Sequence, residues 1–162
     1  MTIFGKTPSE YVSFAKPILL LIVVVGIARL ALSLGGVQNS AVKWLSISAV
    51  LFIGLVYFSI RVYTTGFGSY KQLLPVLFLQ SVTAQVIIIA GIVIAIETGK
   101  DNIFSAPEYA GGSDGKTWLH AGAHLVLGLT IGPLLAWLVG CVIMWVTKKV
   151  SPKDSAPAAQ GA

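Results

Sequence analysis

His120 and His124 are the only histidines in the chain, and they stand four residues apart in Trp118-Leu-His-Ala-Gly-Ala-His124. On a helix that spacing puts both imidazoles on one side, one turn apart, where they can share a metal ion. A helix start just before them, capped by Thr117 or Asp114, favours neutral imidazole through the helix dipole, and the neutral ring is the form that binds metal. A zinc site takes three or four protein ligands. Glu97, Asp101, Glu108 and Asp114 are the acids expected at the same end of the chain's helices, so the candidate set is His120, His124, Glu97 and Asp101. A haem gripped by two histidines needs them on opposite faces of its ring, which one helical face does not provide within a single chain. Each histidine could instead ligate its own tetrapyrrole, or a haem could be shared across a dimer. The cofactor thus stays open among a haem, another tetrapyrrole, a divalent metal and none. In the plainest reading the two rings only hydrogen-bond to neighbours, lipid headgroups or water.

Arg29 is the second unusual residue, a charge inside the apolar run from Pro17 to Leu34. A charge in a membrane span costs at least about 2.5–3.5 kcal/mol on insertion scales. The long side chain can carry its guanidinium to the interface, or it can point inward if an acid such as Glu97 or an anionic ligand compensates. Gln80, Ser81, Thr83 and Gln85 form a polar patch within the third apolar run. Hydrogen bonding between helices explains such a patch at about 0.6 kcal/mol per contact. A polar transport path is the sharper alternative, with Arg29, Gln80 and Gln85 as its buried polar cluster.

The elements that must position these residues follow from composition. The chain has 162 residues, 56% of them hydrophobic and 10% charged, whereas a soluble domain is about a quarter charged. With so few charges, most of its surface must face lipid. Four apolar runs are each long enough to span a bilayer at roughly 20 residues per helix: 17–34, 44–63, 73–96 and 118–147. Strands of a membrane barrel alternate in hydrophobicity, whereas the stretch from Val86 to Ile96 is apolar on every side. The expected fold is therefore an all-α integral membrane four-helix bundle over residues 1–150, followed by a disordered tail, rich in Ala, Pro and Ser, over 151–162. Gly99 is a candidate helix cap. Pro133 removes a backbone bond to Leu129 and should kink the fourth helix. Along that helix Gly128, Gly132, Ala136 and Gly140 recur every four residues, the spacing that lets helix backbones approach closely. Cys141 reads as a small packing residue, and Gly66-Phe67-Gly68 as a flexible turn.

Orientation follows from the distribution of positive charge. Lys6, Lys16, Arg61, Lys71, Lys148, Lys149 and Lys153 flank one side, against Lys43, Lys100 and Lys116 on the other, so both termini are expected in the cytoplasm. The basic start and Ala31-Leu32-Ser33 resemble a cleavable secretory signal, but Arg29 sits where the core of such a signal is uncharged. The formal charge of +5 is scattered at the edges of apolar runs and forms no patch for nucleic acid.

No phosphate loop, haem-attachment motif or nucleophile motif is present, and enzymatic activity is not expected. The leading expectation is a structural or accessory subunit of a membrane assembly, a homo-oligomer or partner of a larger complex, in a bacterial inner membrane. The alternatives are a metal- or tetrapyrrole-binding redox membrane protein using His120 and His124 near the outer face, and a transporter or channel component.

Overall fold

The computed structural model describes residues 1–151, so the tail expected beyond them lies outside the described residues. Among the described residues every regular element is a helix: α1 (Pro8–Leu34), the single turn α2 (Asn39–Val42), α3 (Ile47–Thr64), α4 (Tyr70–Thr98), α5 (Trp118–Leu129) and α6 (Ile131–Val150). Taken with α2 joined to α3 and α5 joined to α6, four helices are long and apolar enough to cross a membrane.

The helix starts obey local capping chemistry. α1 begins nine residues before the apolar run because Thr7 and Glu10 form a capping box: Glu10 N–H donates to Thr7 Oγ1 (3.2 Å) and Thr7 N–H to Glu10 Oε2 (2.8 Å). Pro8 takes the first helical position, and Pro17 lies inside the helix rather than at its start. Gly99 closes α4 in the left-handed conformation (φ 69°), as its position led us to expect. The fourth span breaks at Thr130, between α5 and α6. Pro133, which has no N–H to offer Leu129, follows three residues later.

α4 is the central staff, packing against α1, α3, α5 and α6. It buries Leu73, Leu77, Gln80, Ala84, Gly91 and Ala95 along its whole length. α1 offers Tyr11, Ala15, Ile18, Ile22 and Gly26 at helical spacing. At Gly140 a β-carbon would stand 2.8 Å from Ser59 Oγ and 2.9 Å from Leu73 Cδ2, so this member of the small-residue row seats α6 against α3 and α4 within the chain. Phe67, which sequence placed in a flexible turn, stacks on Phe14 with centroids 3.9 Å apart and anchors the α3–α4 connection.

The break at Thr130 shapes the site. α3 packs on α4 and α6 but not on α5, so a groove floored by α4 opens between α3 and the α5–α6 break.

Candidate functional site

The two histidines and the glutamine patch, distant in sequence, meet across α4 and α5. Thr117 caps α5 by accepting from the N–H of His120 (3.1 Å), which fixes where the first turn places that ring. His120 Nδ1 lies 2.9 Å from the carbonyl oxygen of Gly115. A carbonyl can only accept, so Nδ1 carries the proton and Nε2 keeps its lone pair. His124 Nδ1 lies 2.9 Å from Gln85 Oε1, an arrangement that sets the same tautomer. The two rings are 5.0 Å apart, and neither Nε2 has a partner among the described residues. They line a cavity of about 340 Å³ with Gln85, Ala123, Leu127 and Gly128. A β-carbon on Gly128 would collide with the Gln85 side chain, so this glycine admits the amide that orients His124.

Gln85 and Gly128 also border a second cavity of about 260 Å³, which lies between α3 and the α5–α6 break, with Gly132 and Ala136 of α6 on its wall. Its floor holds Gln80 and Ser81, only 2% and 8% exposed. Gln80 Nε2 donates to the Leu51 carbonyl (3.3 Å), while its Oε1 is buried without a hydrogen-bond partner. A buried acceptor left in that state costs about 1–3 kcal/mol. The side chain fits because Gly54 faces it, where a β-carbon would collide with Oε1.

The remaining candidates do not join this centre. Arg29 stands over the ring of Phe104, its guanidinium carbon 5.3 Å from the centroid, and its Nε is buried without a partner. It makes no ion pair with Glu97, whose side chain has no polar partner among the described residues. Arg29 therefore lies apart from Gln80 and Gln85. Asp101 and Asp114 both pair with Lys116, at 2.7 and 3.2 Å. The hydrogen bond from the Lys116 backbone holds the Asp114 carboxyl below its usual range, and the bond to Asp101 lifts the Lys116 ammonium above its own. Among the described residues no three His, Cys, Asp or Glu side chains stand close enough to hold one metal ion. The set His120, His124, Glu97 and Asp101 is thus not assembled, because Asp101 is committed to Lys116 and Glu97 projects alone from the end of α4.

Sequence reasoning missed the segment just after α4. Asn102 to Ala106 are buried, folded back along α4 to Gly91, about 10 Å below its end at 1.5 Å per residue. Asn102 Nδ2 donates to the Gly91 carbonyl (2.7 Å), its Oδ1 accepts from Phe104 N–H (2.9 Å), and its own N–H donates to Ser105 Oγ (3.0 Å). Ile103 N–H reaches Ser33 Oγ on α1 (2.8 Å). The available signal was the apolar pair Ile103-Phe104 inside an otherwise polar loop, facing a glycine in α4. Compared with protein-family models, with curated proteins and with solved structures, the chain has no match.

Proposed function

We propose that the four helices cross a bilayer with both termini on the cytoplasmic side, and that the chain is an accessory membrane subunit holding a first-row divalent metal at His120 and His124. One observation carries the reading: both Nδ1 atoms are held on carbonyl oxygens at 2.9 Å, leaving two Nε2 lone pairs on adjacent rings. Metal-binding histidines almost always have their second nitrogen tied down in this way, which orients the ring and raises its basicity. Spacing supports it. An imidazole centroid stands about 3.2 Å from a metal bound at about 2.0–2.1 Å, so two rings sharing a tetrahedral ion have centroids about 5 Å apart. Here they are 5.0 Å apart. Imidazole pairs suit zinc, copper or nickel more than magnesium or calcium. The other coordination positions fall to water or to a neighbouring subunit, which is why the reading joins metal binding to assembly.

Positive charge supports the orientation, with Lys6, Lys16, Arg61, Lys71, Lys148 and Lys149 flanking one end of the helices and Lys43, Lys100 and Lys116 the other. The test is metal analysis and a visible spectrum of protein purified from native membranes in mild detergent, followed by zinc and copper titration of the stripped protein. Stoichiometric binding should fall at least about 100-fold in His120→Ala and in His124→Ala, since one remaining imidazole cannot chelate. Equal binding by wild type and the double variant would overturn the reading.

A further inference from the structure

We infer that Arg29, stacked on Phe104 below the outer end of α1, is a binding site for the phosphate group of a membrane lipid. The inference rests on the bilayer reading above but not on a metal at the histidines.

Charge is the first argument. A guanidinium keeps its proton at any pH a protein meets, so Arg29 cannot shed its charge to suit an apolar setting. Cations within membrane spans are rare and are almost always paired. Among the described residues Arg29 has neither an ion pair nor a hydrogen bond. The acid on the loop above it, Glu108, is engaged by Asn39 Nδ2 (3.3 Å). The protein thus supplies a cation and leaves its anion to come from elsewhere.

The second argument is how the guanidinium is held. Its carbon stands 5.3 Å from the Phe104 centroid, and Nε is sealed without a partner. Nη1 and Nη2 are equally without partners but are not sealed, since the buried unpartnered atoms are Arg29 Nε and Gln80 Oε1 alone among the described residues. Stacking therefore fixes the plane of the fork and leaves its two outer nitrogens open. Two parallel N–H donors in one plane are the geometry that grips two oxygens of a phosphate.

The third argument is the direction of approach, which favours a lipid over a free anion. One turn above Arg29, Ser33 Oγ donates to Asn39 Oδ1 (2.9 Å) and accepts from the N–H of Ile103 (2.8 Å). The Tyr109 hydroxyl donates to the Asn39 carbonyl (3.2 Å). This cap stands between Arg29 and the outer end of the bundle. Beside Arg29, by contrast, Leu21, Val25, Ala28 and Leu32 recur at helical spacing as an apolar stripe, with Leu21 and Leu32 exposed. Arg29 lies five residues, about 8 Å, before the end of α1, a depth from which its side chain reaches the headgroup boundary. A phosphate that arrives along the bilayer can meet the open nitrogens while its acyl chains lie on the stripe.

The full chain would be purified in dodecyl maltoside, which carries no phosphate, and titrated by native mass spectrometry. The probes are dipalmitoylphosphatidylglycerol and dipalmitoylglycerol, which has the same tails and no phosphate. Wild type should bind the phospholipid at least about tenfold more tightly than the diacylglycerol, the effect of one charge-assisted hydrogen bond. Inorganic phosphate at ten times the lipid concentration should not displace it. Arg29→Gln should bind one phospholipid fewer per chain, and Arg29→Lys, which keeps the charge, should recover that lipid. Lys43→Gln removes an exposed cation from the same end of the bundle and should lose none. Equal affinity for the two lipids would overturn the inference, as would displacement by inorganic phosphate or unchanged stoichiometry in Arg29→Gln. The same loss in Arg29→Lys or in Lys43→Gln would also overturn it. If the chain sediments with membranes yet fails these tests, this inference falls alone. If it stays in solution without detergent, the bilayer reading falls with it.

Discussion

Two polar inserts occupy this apolar bundle, and they are built on opposite terms. At the α1–α4 junction, Asn102 engages its side-chain amide, its side-chain oxygen and its backbone N–H in hydrogen bonds of 2.7–3.0 Å. At the α4–α5 seam, the two histidines keep unpartnered Nε2 atoms beside a cavity. A fully connected polar network rigidifies a core, whereas one with open positions is costly unless something else completes it. The first insert therefore acts as a structural plug, and the second has the form of a binding site.

Substitutions can break or sharpen that contrast. The largest effect is expected from Asn102→Ala, which strands the Gly91 carbonyl and Phe104 N–H bonds together and should cost about 2–4 kcal/mol in detergent unfolding. A variant as stable as wild type would show that the plug holds nothing. Gly91→Ala should follow at about 1–3 kcal/mol, because its β-carbon would press into the Phe104 ring. Gln85→Leu should leave the melting temperature nearly unchanged while lowering zinc or copper affinity about 10–100-fold, the usual effect of removing the group that orients a metal-binding histidine. A stability loss as large as that of Asn102→Ala, with metal affinity intact, would make the seam structural too and erase the distinction.

The smallest effect belongs to the exposed ion pairs of Lys116. Asp114 titrates below its ordinary 3.8, so its contribution is present above that value and is lost as pH falls through the depressed one. Lys116 titrates above its ordinary 10.5, so its contribution is complete below 10.5 and is lost as pH rises through the raised value. Stability should therefore be flat with respect to this pair of groups through neutral pH. Lys116→Met should barely move a melting curve measured at physiological salt, because solvent screens exposed pairs. A pronounced dependence on salt near pH 7 that vanishes in Lys116→Met would assign the loop a larger role.

How much was legible in sequence differs between these regions. The helices follow from unbroken apolar runs, and Gly99, Thr117 and Pro133 marked a cap, a start and a break through chemistry that acts within a few residues. The apolar run marks α1 only from Pro17, because the Thr7–Glu10 box that starts the helix lies in the polar stretch before it. The histidine pair was visible by its spacing, but the acids proposed to complete it were not brought to it. Lys116 claimed Asp101, a pairing across fifteen residues of loop that no local rule specifies. Arg29 was expected to seek Glu97 or the interface and instead met Phe104.

Periodicity and hydropathy act along the chain, and they were sufficient to determine an all-helical protein with four helices long enough to cross a membrane. Which polar groups meet was settled only by tertiary packing. Gln85 and His124 are 39 residues apart and touch because Gly128 lets α5 approach α4. The groove beside them exists because the helix breaks at Thr130 while α3 follows only its second half. Contacts of this kind depend on how helices cross in space, and a linear pattern carries no measure of a crossing.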